Sequence, residues 1–144
     1  KIAADKIKWA IENYTPSNSR SQLINKGSNR FIMDAYNANP SSMKLAIENF
    51  ANLKSEKKVL LLGAMAELGE ESMAEHEAII KLIQSKNWEK VVLVGGDFIK
   101  LAHPYLSFTN AQEAKTWLQN QKFENTDFLV KGSRSMQMEK IITE

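Results

Sequence analysis

Three segments of the chain share one design: Lys58–Gly63 (KVLLLG), Lys90–Gly95 (KVVLVG) and Asp127–Gly132 (DFLVKG). Each is an apolar run that ends in glycine, and helical patterns separate one run from the next. Continuous apolar runs of this kind are typical of parallel strands that are covered on both faces. The chain is therefore predicted to have an α/β fold, with a small, open, Rossmann-like sheet that is mostly parallel and forms the middle of three layers.

A hairpin and further helices are predicted around these strands. Two short apolar stretches, 22–24 and 30–34, flank a loop of turn residues, which is typical of an amino-terminal hairpin. Helix starts are indicated by capping residues, because these satisfy the unpaired amides of a first turn. The predicted helices run from Pro40 to about Leu53 behind the N-cap Asn39, onward from a capping box at 72–75, onward from Asn110 and onward from Ser135.

The amino-terminal segment is predicted to be separate from this sheet. Residues 1–13 show an imperfect amphipathic helix pattern, and the polar stretch 15–19, which contains Pro16, interrupts it. The chain has 144 residues and begins with Lys1 rather than Met, so we expect it to be a fragment of a longer protein.

Composition argues against several classes of function. Lys and Arg number 19 and Asp and Glu number 17, a net charge of +2 without a basic block, so no nucleic-acid partner is expected. The longest nearly unbroken apolar run, 59–66, is far shorter than the ~20 residues that cross a bilayer, and no membrane association is expected. Cysteine is absent and histidine occurs twice, which excludes thiol catalysis and disulfides and predicts no metal site.

The loop after the strand at 30–34 is the first candidate site, since ligands of open parallel sheets bind beyond the carboxyl ends of the strands. Asp34 is followed there by Tyr36, Asn37 and Asn39, at a helix start. A carboxylate can bind ribose hydroxyls, a tyrosine can stack on a base, and a helix N-terminus favours phosphate. The alternative is an Asx turn with an N-cap that only organises the chain, and for Asn39 we favour the cap.

The loop after the last strand is the second candidate site. It contains Lys131, Gly132, Ser133, Arg134 and Ser135. Glycine permits close approach of the backbone, the hydroxyls can donate, and arginine can bind a carboxylate or phosphate through two hydrogen bonds. We favour an anion site here over an ordinary polar turn.

Three further features have weaker functional interpretations. Glu67 could bind Mg²⁺, act as a base or contact a partner loop, but a solvated acidic turn is the favoured interpretation. The segment Gly95–Asp97 is predicted to be a plain turn rather than an anion nest. His76 borders the apolar stripe of its helix and is predicted to be a structural histidine.

Three strings resemble the C-terminal domain of the Mur ligases: DAYNANPSSM, LGAMAELGEES with a histidine four residues later, and LVKGSRSMQMEK. The resemblance extends from about Tyr14 to the end of the chain. It implies that residues 1–15 are the tail of a central ATPase domain with its linker, and that residues 16–144 are the Mur ligase C-terminal domain. Mur ligases make peptidoglycan precursors in the bacterial cytoplasm, by attack of an amine on an acyl phosphate formed with ATP.

The strings are most similar to those of the family member whose substrates are UDP-N-acetylmuramoyl-tripeptide and D-alanyl-D-alanine. The resemblance implies ATP with Mg²⁺ as cofactor, held mainly by a central domain, since this chain has no P-loop sequence. It implies no catalytic residue in this chain, no activity of the chain alone, and a monomeric enzyme. A sibling ligase that adds a single amino acid and a non-catalytic α/β binding module are the alternatives; a receiver module would need an acidic cluster and a phospho-acceptor aspartate, which are absent.

Individual site residues follow from the same resemblance. Arg20 would reach the adenine–ribose region of the nucleotide, Asp34 would meet the ribose, and Tyr36, Asn37 and Asn39 would shape the nucleotide pocket. The residues implied near the dipeptide, which keeps a free carboxylate, are Lys131, Ser133, Arg134 and Ser135. The chain departs from the family at Ala64, where an acidic residue usually follows the glycine, so any role of that carboxylate is missing or falls to Glu67.

Overall fold

The computed structural model describes residues 22–34 and 38–142. The predicted helix over 1–13 and the predicted linker at 15–19 lie outside these residues.

Within the described residues, six strands form one sheet in the order β1–β2–β6–β3–β4–β5. β1 and β2 are antiparallel, and every other pair of neighbours is parallel. The predicted parallel sheet with an amino-terminal hairpin at its edge is therefore confirmed. The strands are β1 (Gln22–Lys26), β2 (Asn29–Asp34), β3 (Lys58–Gly63), β4 (Lys90–Val94), β5 (Leu106–Phe108) and β6 (Asp127–Lys131).

Four α-helices lie between these strands in the described residues. They are α1 (Pro40–Ala51), α2 (Ser72–Gln84), α3 (Gly96–Lys100) and α4 (Ala111–Gln119). The predicted N-caps of α1 and α4 are confirmed, since Asn39 and Asn110 each accept a hydrogen bond from the backbone amide three residues later. The elements α3 and β5, of 5 and 3 residues, were not predicted because they are too short to show a period.

Two helix predictions were wrong in detail. The capping box at 72–75 does not form, because the chain enters α2 through a three-ten turn at Gly69–Glu71 and the N-cap position, Glu71, makes no side-chain cap. The helix predicted from Ser135 is two three-ten turns, Arg134–Met136 and Met138–Ile141. Gln137 separates them with a φ of 52°, and a left-handed residue interrupts a right-handed helix.

The sheet has a packed apolar layer on each face. Alternate strand residues such as Ile32 and Leu62 pack with α1, α2 and α3 on one face. The residues between them, such as Phe31 and Leu61, pack with α4 and the C-terminal turns on the other face. Burial on both faces explains why the strands read as continuous apolar runs, and the three predicted layers are confirmed.

The layers also define a crevice at the carboxyl ends of the strands. The chain leaves β2 and β3 toward the face that α1 and α2 cover, but it leaves β6 toward the opposite face, where Met138 and Ile141 lie. β6 is placed between β2 and β3. Neighbouring strands whose connections diverge in this way form the usual ligand crevice of open α/β sheets.

Gly132, just beyond β6, provides a test of how closely the loops pack at this edge. A Cβ there would lie 2.9 Å from Gly63 Cα and 2.8 Å from Met138 Cγ. Backbone cannot move aside as a side chain can, so we expect Gly132→Ala to lower the free energy of unfolding in urea by about 1–3 kcal/mol.

Gly63→Ala is the matched control for this prediction. Its Cβ would meet Met138 Sδ at 2.7 Å and Met136 Cβ at 3.2 Å, which belong to flexible side chains. We expect a smaller loss than for Gly132→Ala. Equal losses, or a larger loss for Gly63→Ala, would show that the backbone contact is not the limiting one.

Candidate functional site

The loop after β3 is hydrogen-bonded to the end of β4 and to the loop after β6 at the carboxyl edge of the sheet. Ala64, in the loop after β3, donates its amide to the carbonyl of Val94 at 3.0 Å and accepts the amide of Ser133 on its own carbonyl, also at 3.0 Å. Two of the segments singled out in the sequence, those around Ala64 and Ser133, are therefore in direct contact. Their meeting forms one continuous edge, with the carboxyl end of β2 beside it.

Asp34 and Lys131, at the last positions of β2 and β6, form an ion pair. They are direct partners in the parallel register of the two strands, and Lys131 Nζ lies 2.9 Å from Asp34 Oδ2. Both side chains are fully buried. The family resemblance implied different ligands for these residues, the nucleotide for Asp34 and the dipeptide for Lys131. In the structure the two side chains contact each other, because β2 and β6 are neighbours in the sheet.

The rest of the loop after β6 divides into a buried and an exposed part. Ser133 is buried, and its Oγ lies 3.0 Å from the Oγ of Ser135. Arg134 and Ser135 are exposed, in the three-ten turn that follows. Arg134 and Ser135 are thus the members of the predicted dipeptide set that a ligand approaching this edge can reach from solvent.

The predicted nucleotide residues are only partly described. Arg20, Tyr36 and Asn37 lie outside the described residues. Asn39 is exposed, and its Oδ1 accepts the Ser42 amide at 2.8 Å while the Ser42 hydroxyl accepts the Asn39 amide at 3.0 Å. This reciprocal capping confirms the interpretation favoured for Asn39, since its side chain serves the start of α1.

The loop after β3 has no carboxylate directly after Gly63. Ala64 is buried and lies close to Gly96. A Cβ added to Gly96 would be only 2.4 Å from the Cβ of Ala64. Glu67 is exposed and has a φ of 63°, in the left-handed region that turns use. The exposed turn fits the favoured interpretation of Glu67.

His76 is hydrogen-bonded to the loop after β3. Its ring is fully buried, with an edge-on contact to Phe98 at 4.7 Å between ring centroids. The Met65 amide donates to Nε2 at 2.9 Å, so Nδ1 carries the proton and donates to the Ser72 carbonyl at 2.7 Å. The prediction of a structural histidine is confirmed, and the loop that it anchors is part of the site edge.

Gly95 is the N-cap of α3, and Gly96 and Asp97 are the first two residues of that helix. The Asp97 carboxylate lies 3.2 Å from Lys100 Nζ. A hydrogen bond from the Ser72 side chain, together with Lys100, lowers the pKa of Asp97. These contacts are internal to the domain, and the segment begins a short helix where a plain turn was predicted.

The described residues define the class of this domain. Among residues 22–34 and 38–142, no group of three or more His, Asp or Glu side chains is arranged to hold a metal. In the same ranges no helix is long and apolar enough to cross a membrane. The domain is a three-layer α/β unit whose carboxyl edge presents polar loops and one exposed arginine, Arg134, in the loop after β6.

Comparison with known proteins identifies the family of this unit. The sequence model of the family described as "Mur ligase, glutamate ligase domain" matches residues 19–134. The chain belongs to this family, as its three strings predicted.

The chain resembles one part of longer proteins. It is 34% identical over 131 residues to the UDP-N-acetylmuramoyl-tripeptide–D-alanyl-D-alanine ligase of Rickettsia prowazekii, which covers 85% of this chain and 29% of the ligase. A crystal structure of MurF from Acinetobacter baumannii superposes with a TM-score of 0.71 at 29% identity, over 89% of this chain and 30% of that one. The chain therefore spans about three tenths of the length of these relatives.

A third match supports the fold alone. MurF ligase from Thermotoga maritima, solved in complex with ADP, superposes with a TM-score of 0.73 at 22% identity, over 89% of this chain and 30% of that one.

The role of His76 can be tested with His76→Phe. Phenylalanine keeps a ring against Phe98 but makes neither hydrogen bond, so we expect a loss of about 1–3 kcal/mol in the free energy of unfolding. Hydrogen exchange at the Met65 amide should accelerate more than exchange in β3. His103→Phe is the control, because His103 also accepts a backbone amide, that of Tyr105, at 3.1 Å. Unchanged protection at Met65 in His76→Phe would contradict the anchoring role.

The role of Asn39 can be tested by exchanging its side chain. Asn39→Ala should lower the free energy of unfolding by about 1 kcal/mol, as loss of an N-cap does, and Asn39→Asp should restore it. Asn110→Ala, at the same position of α4, is the matched control. If Asn39→Asp keeps the stability but weakens nucleotide binding, then Asn39 contacts the nucleotide as well as capping α1.

Proposed function

We propose that this chain is the C-terminal domain of an ATP-dependent ligase that adds D-alanyl-D-alanine to UDP-N-acetylmuramoyl-tripeptide. The reaction is a step of peptidoglycan precursor synthesis in the bacterial cytoplasm, and the enzyme acts as a monomer. The observation that supports this most is the pairing of β2 with β6, which places the strand ends that precede two of the motif loops side by side, in a chain 34% identical to a ligase of that name.

The proposed reaction has two steps. The tripeptide carboxylate receives the terminal phosphoryl group of ATP and becomes an acyl phosphate, with release of ADP. The amine of D-alanyl-D-alanine then attacks the acyl carbon, and the tetrahedral intermediate loses phosphate and a proton to give the amide. This domain supplies no nucleophile or base, and its part is to bind and orient two of the substrates.

The nucleotide side of the proposal uses the loop after β2. Asp34 would accept hydrogen bonds from the ribose hydroxyls, since it stands at the strand end from which this loop begins. Arg20 would reach the adenine–ribose region, and Tyr36, Asn37 and Asn39 would shape the pocket. Mg²⁺ does not fit the described residues, which offer no cluster of ligands, so we assign it and the triphosphate to another domain.

The dipeptide side of the proposal uses the loop after β6. D-alanyl-D-alanine keeps a free carboxylate, and the exposed guanidinium of Arg134 can bind it through two charge-assisted hydrogen bonds. Ser133 and Ser135 stand on either side of Arg134 and add hydroxyl groups. Lys131 was predicted with them, but its ammonium group is held by Asp34.

Closure of this domain over the other parts of the ligase would complete the site. An acyl phosphate is readily hydrolysed, so exclusion of water protects it until the amine attacks. The chain alone is expected to be inactive. A sibling ligase that adds a single amino acid is less favoured, because the relatives described above carry names of the dipeptide-adding enzyme.

The proposal is tested by assaying the complete protein that contains this chain with Arg134→Ala. We expect the KM for D-alanyl-D-alanine to rise about ten- to hundredfold, the scale of losing hydrogen bonds to a charged group. The KM for ATP should not change. Lys81→Ala is the control, because Lys81 is an exposed cation in the last turn of α2.

The amide product that the complete protein forms distinguishes the dipeptide-adding ligase from the alternatives. Amide formation with D-alanyl-D-alanine but not with single amino acids supports the dipeptide-adding ligase. Formation with a single amino acid alone would favour the sibling. Absence of ATP-dependent amide formation by the complete protein would refute the ligase proposal, and an unchanged dipeptide KM in Arg134→Ala would refute the assignment of Arg134.

A further inference from the structure

The ion pair between Asp34 and Lys131 joins the ends of β2 and β6, and the proposed function gives the loops that follow these two strands to different substrates. The two residues are direct partners on adjacent parallel strands, and their side chains leave the sheet on the same face. The hydrogen bond from Lys131 Nζ to Asp34 Oδ2 is 2.9 Å long, between residues 97 apart in sequence. The strand register alone therefore brings the ammonium group to the carboxylate.

Burial makes a direct contact between Lys131 and the dipeptide costly. Both side chains have no solvent-exposed surface. Either ligand would have to open this edge to reach the pair, but a dipeptide carboxylate would also have to compete with Asp34 for the ammonium group. A ribose hydroxyl can donate to the Asp34 carboxylate while the ion pair stays intact. Arg134, in contrast, is exposed in the same loop.

The pair also has a consequence for Asp34. A carboxylate at the end of a strand can rotate about its side-chain bonds, but a buried, charge-assisted hydrogen bond restricts it to one orientation. The backbone of Lys131 is held on both sides, because β6 pairs with β2 and with β3. The Lys131 side chain therefore projects from a fixed position on the backbone and holds the Asp34 carboxylate in place.

We propose that Lys131 is a positioning residue for Asp34: it orients the Asp34 carboxylate toward the nucleotide and does not contact the dipeptide. This inference rests on the proposed function, and it transfers Lys131 from the dipeptide site to the nucleotide site. The burial, the register and the distance support it together.

The same two strands contain a matched pair at their other end. Arg30 and Asp127 are also register partners of β2 and β6, and Arg30 Nε lies 2.5 Å from Asp127 Oδ1. This pair is four residues, or about 13 Å along the strands, from the ligand edge. Arg30→Met is therefore a control that removes a cross-strand cation from the same strands without touching the site.

The test compares Lys131→Met, Asp34→Asn and the double variant in the complete protein, with the KM for ATP, the KM for D-alanyl-D-alanine and the Kd for ADP as readouts. We expect Lys131→Met to raise the KM for ATP and the Kd for ADP at least about tenfold, as loss of an oriented hydrogen bond to a charged group does. The KM for the dipeptide should not change. Arg30→Met should change neither KM.

The double variant shows whether Lys131 acts through Asp34. If it does, Asp34→Asn combined with Lys131→Met should bind ADP no more weakly than Asp34→Asn alone, because the carboxylate to be positioned is already absent. The double variant removes both charges of the pair, so it is expected to fold even if a single variant does not. Its dipeptide KM should equal that of the unmodified protein.

Two results would overturn the inference. One is a rise in the dipeptide KM in Lys131→Met or in the double variant, which would return Lys131 to the dipeptide site. The other is a full additional loss of ADP affinity when Lys131→Met is added to Asp34→Asn, which would mean that Lys131 acts independently. A complete protein that does not add the dipeptide would refute the proposed function, whereas an active ligase with either of these results would refute only the role of Lys131.

Discussion

The burial of β6 is the constraint on which the rest of the structure depends. All five residues of this strand are buried, although its first and last residues, Asp127 and Lys131, are charged. Burying a charge without a partner is unfavourable by several kcal/mol, so each end needs an opposite charge from a neighbouring strand. β2 provides both, as Arg30 at one end and Asp34 at the other. The hairpin that contains β2 is therefore fixed to the sheet by two ion pairs, in one register.

The layers of the fold could be predicted because burial on both faces leaves a strong sequence signal. The three apolar runs and the cap at Asn39 are local patterns, and each formed where it was predicted. The order of the strands has no such signal, since it depends on how residues nearly a hundred positions apart pair. For this reason the contact between Asp34 and Lys131 could not be predicted, although both residues were singled out. The sequence does place opposite charges at the carboxyl ends of these two predicted strands, and this feature could have indicated the contact.

The C-terminal segment shows how packing can override a local pattern. Met136, Ile141 and Ile142 suggested a helix after Ser135, but the two methionines of this segment pack against the carboxyl edge of the sheet. Met138 and Met136 lie against Gly63, Gly95 and Gly132, at distances that leave no space for a side chain at those glycines. A continuous α-helix would place residues 136 and 138 on different sides of its axis. The left-handed Gln137 lets both methionines reach the carboxyl edge. The three glycines there leave the space that the methionine side chains occupy.

The same contacts determine how this edge can take part in catalysis. Ala64, in the loop after β3, is hydrogen-bonded to the end of β4 and to the loop after β6, and His76 fixes Met65 to the start of α2. Lys131 and Asp34 tie the carboxyl end of β2 to this group. A displacement of one loop would break buried hydrogen bonds in the others, at about 1–3 kcal/mol for each group left unsatisfied. In the proposed ligase, closure therefore favours movement of the whole domain over rearrangement of its loops, because movement as a unit keeps every one of these bonds. The orientation of Asp34 relative to Arg134 would then be set before either substrate binds, and closure would bring both to the reacting groups in one motion.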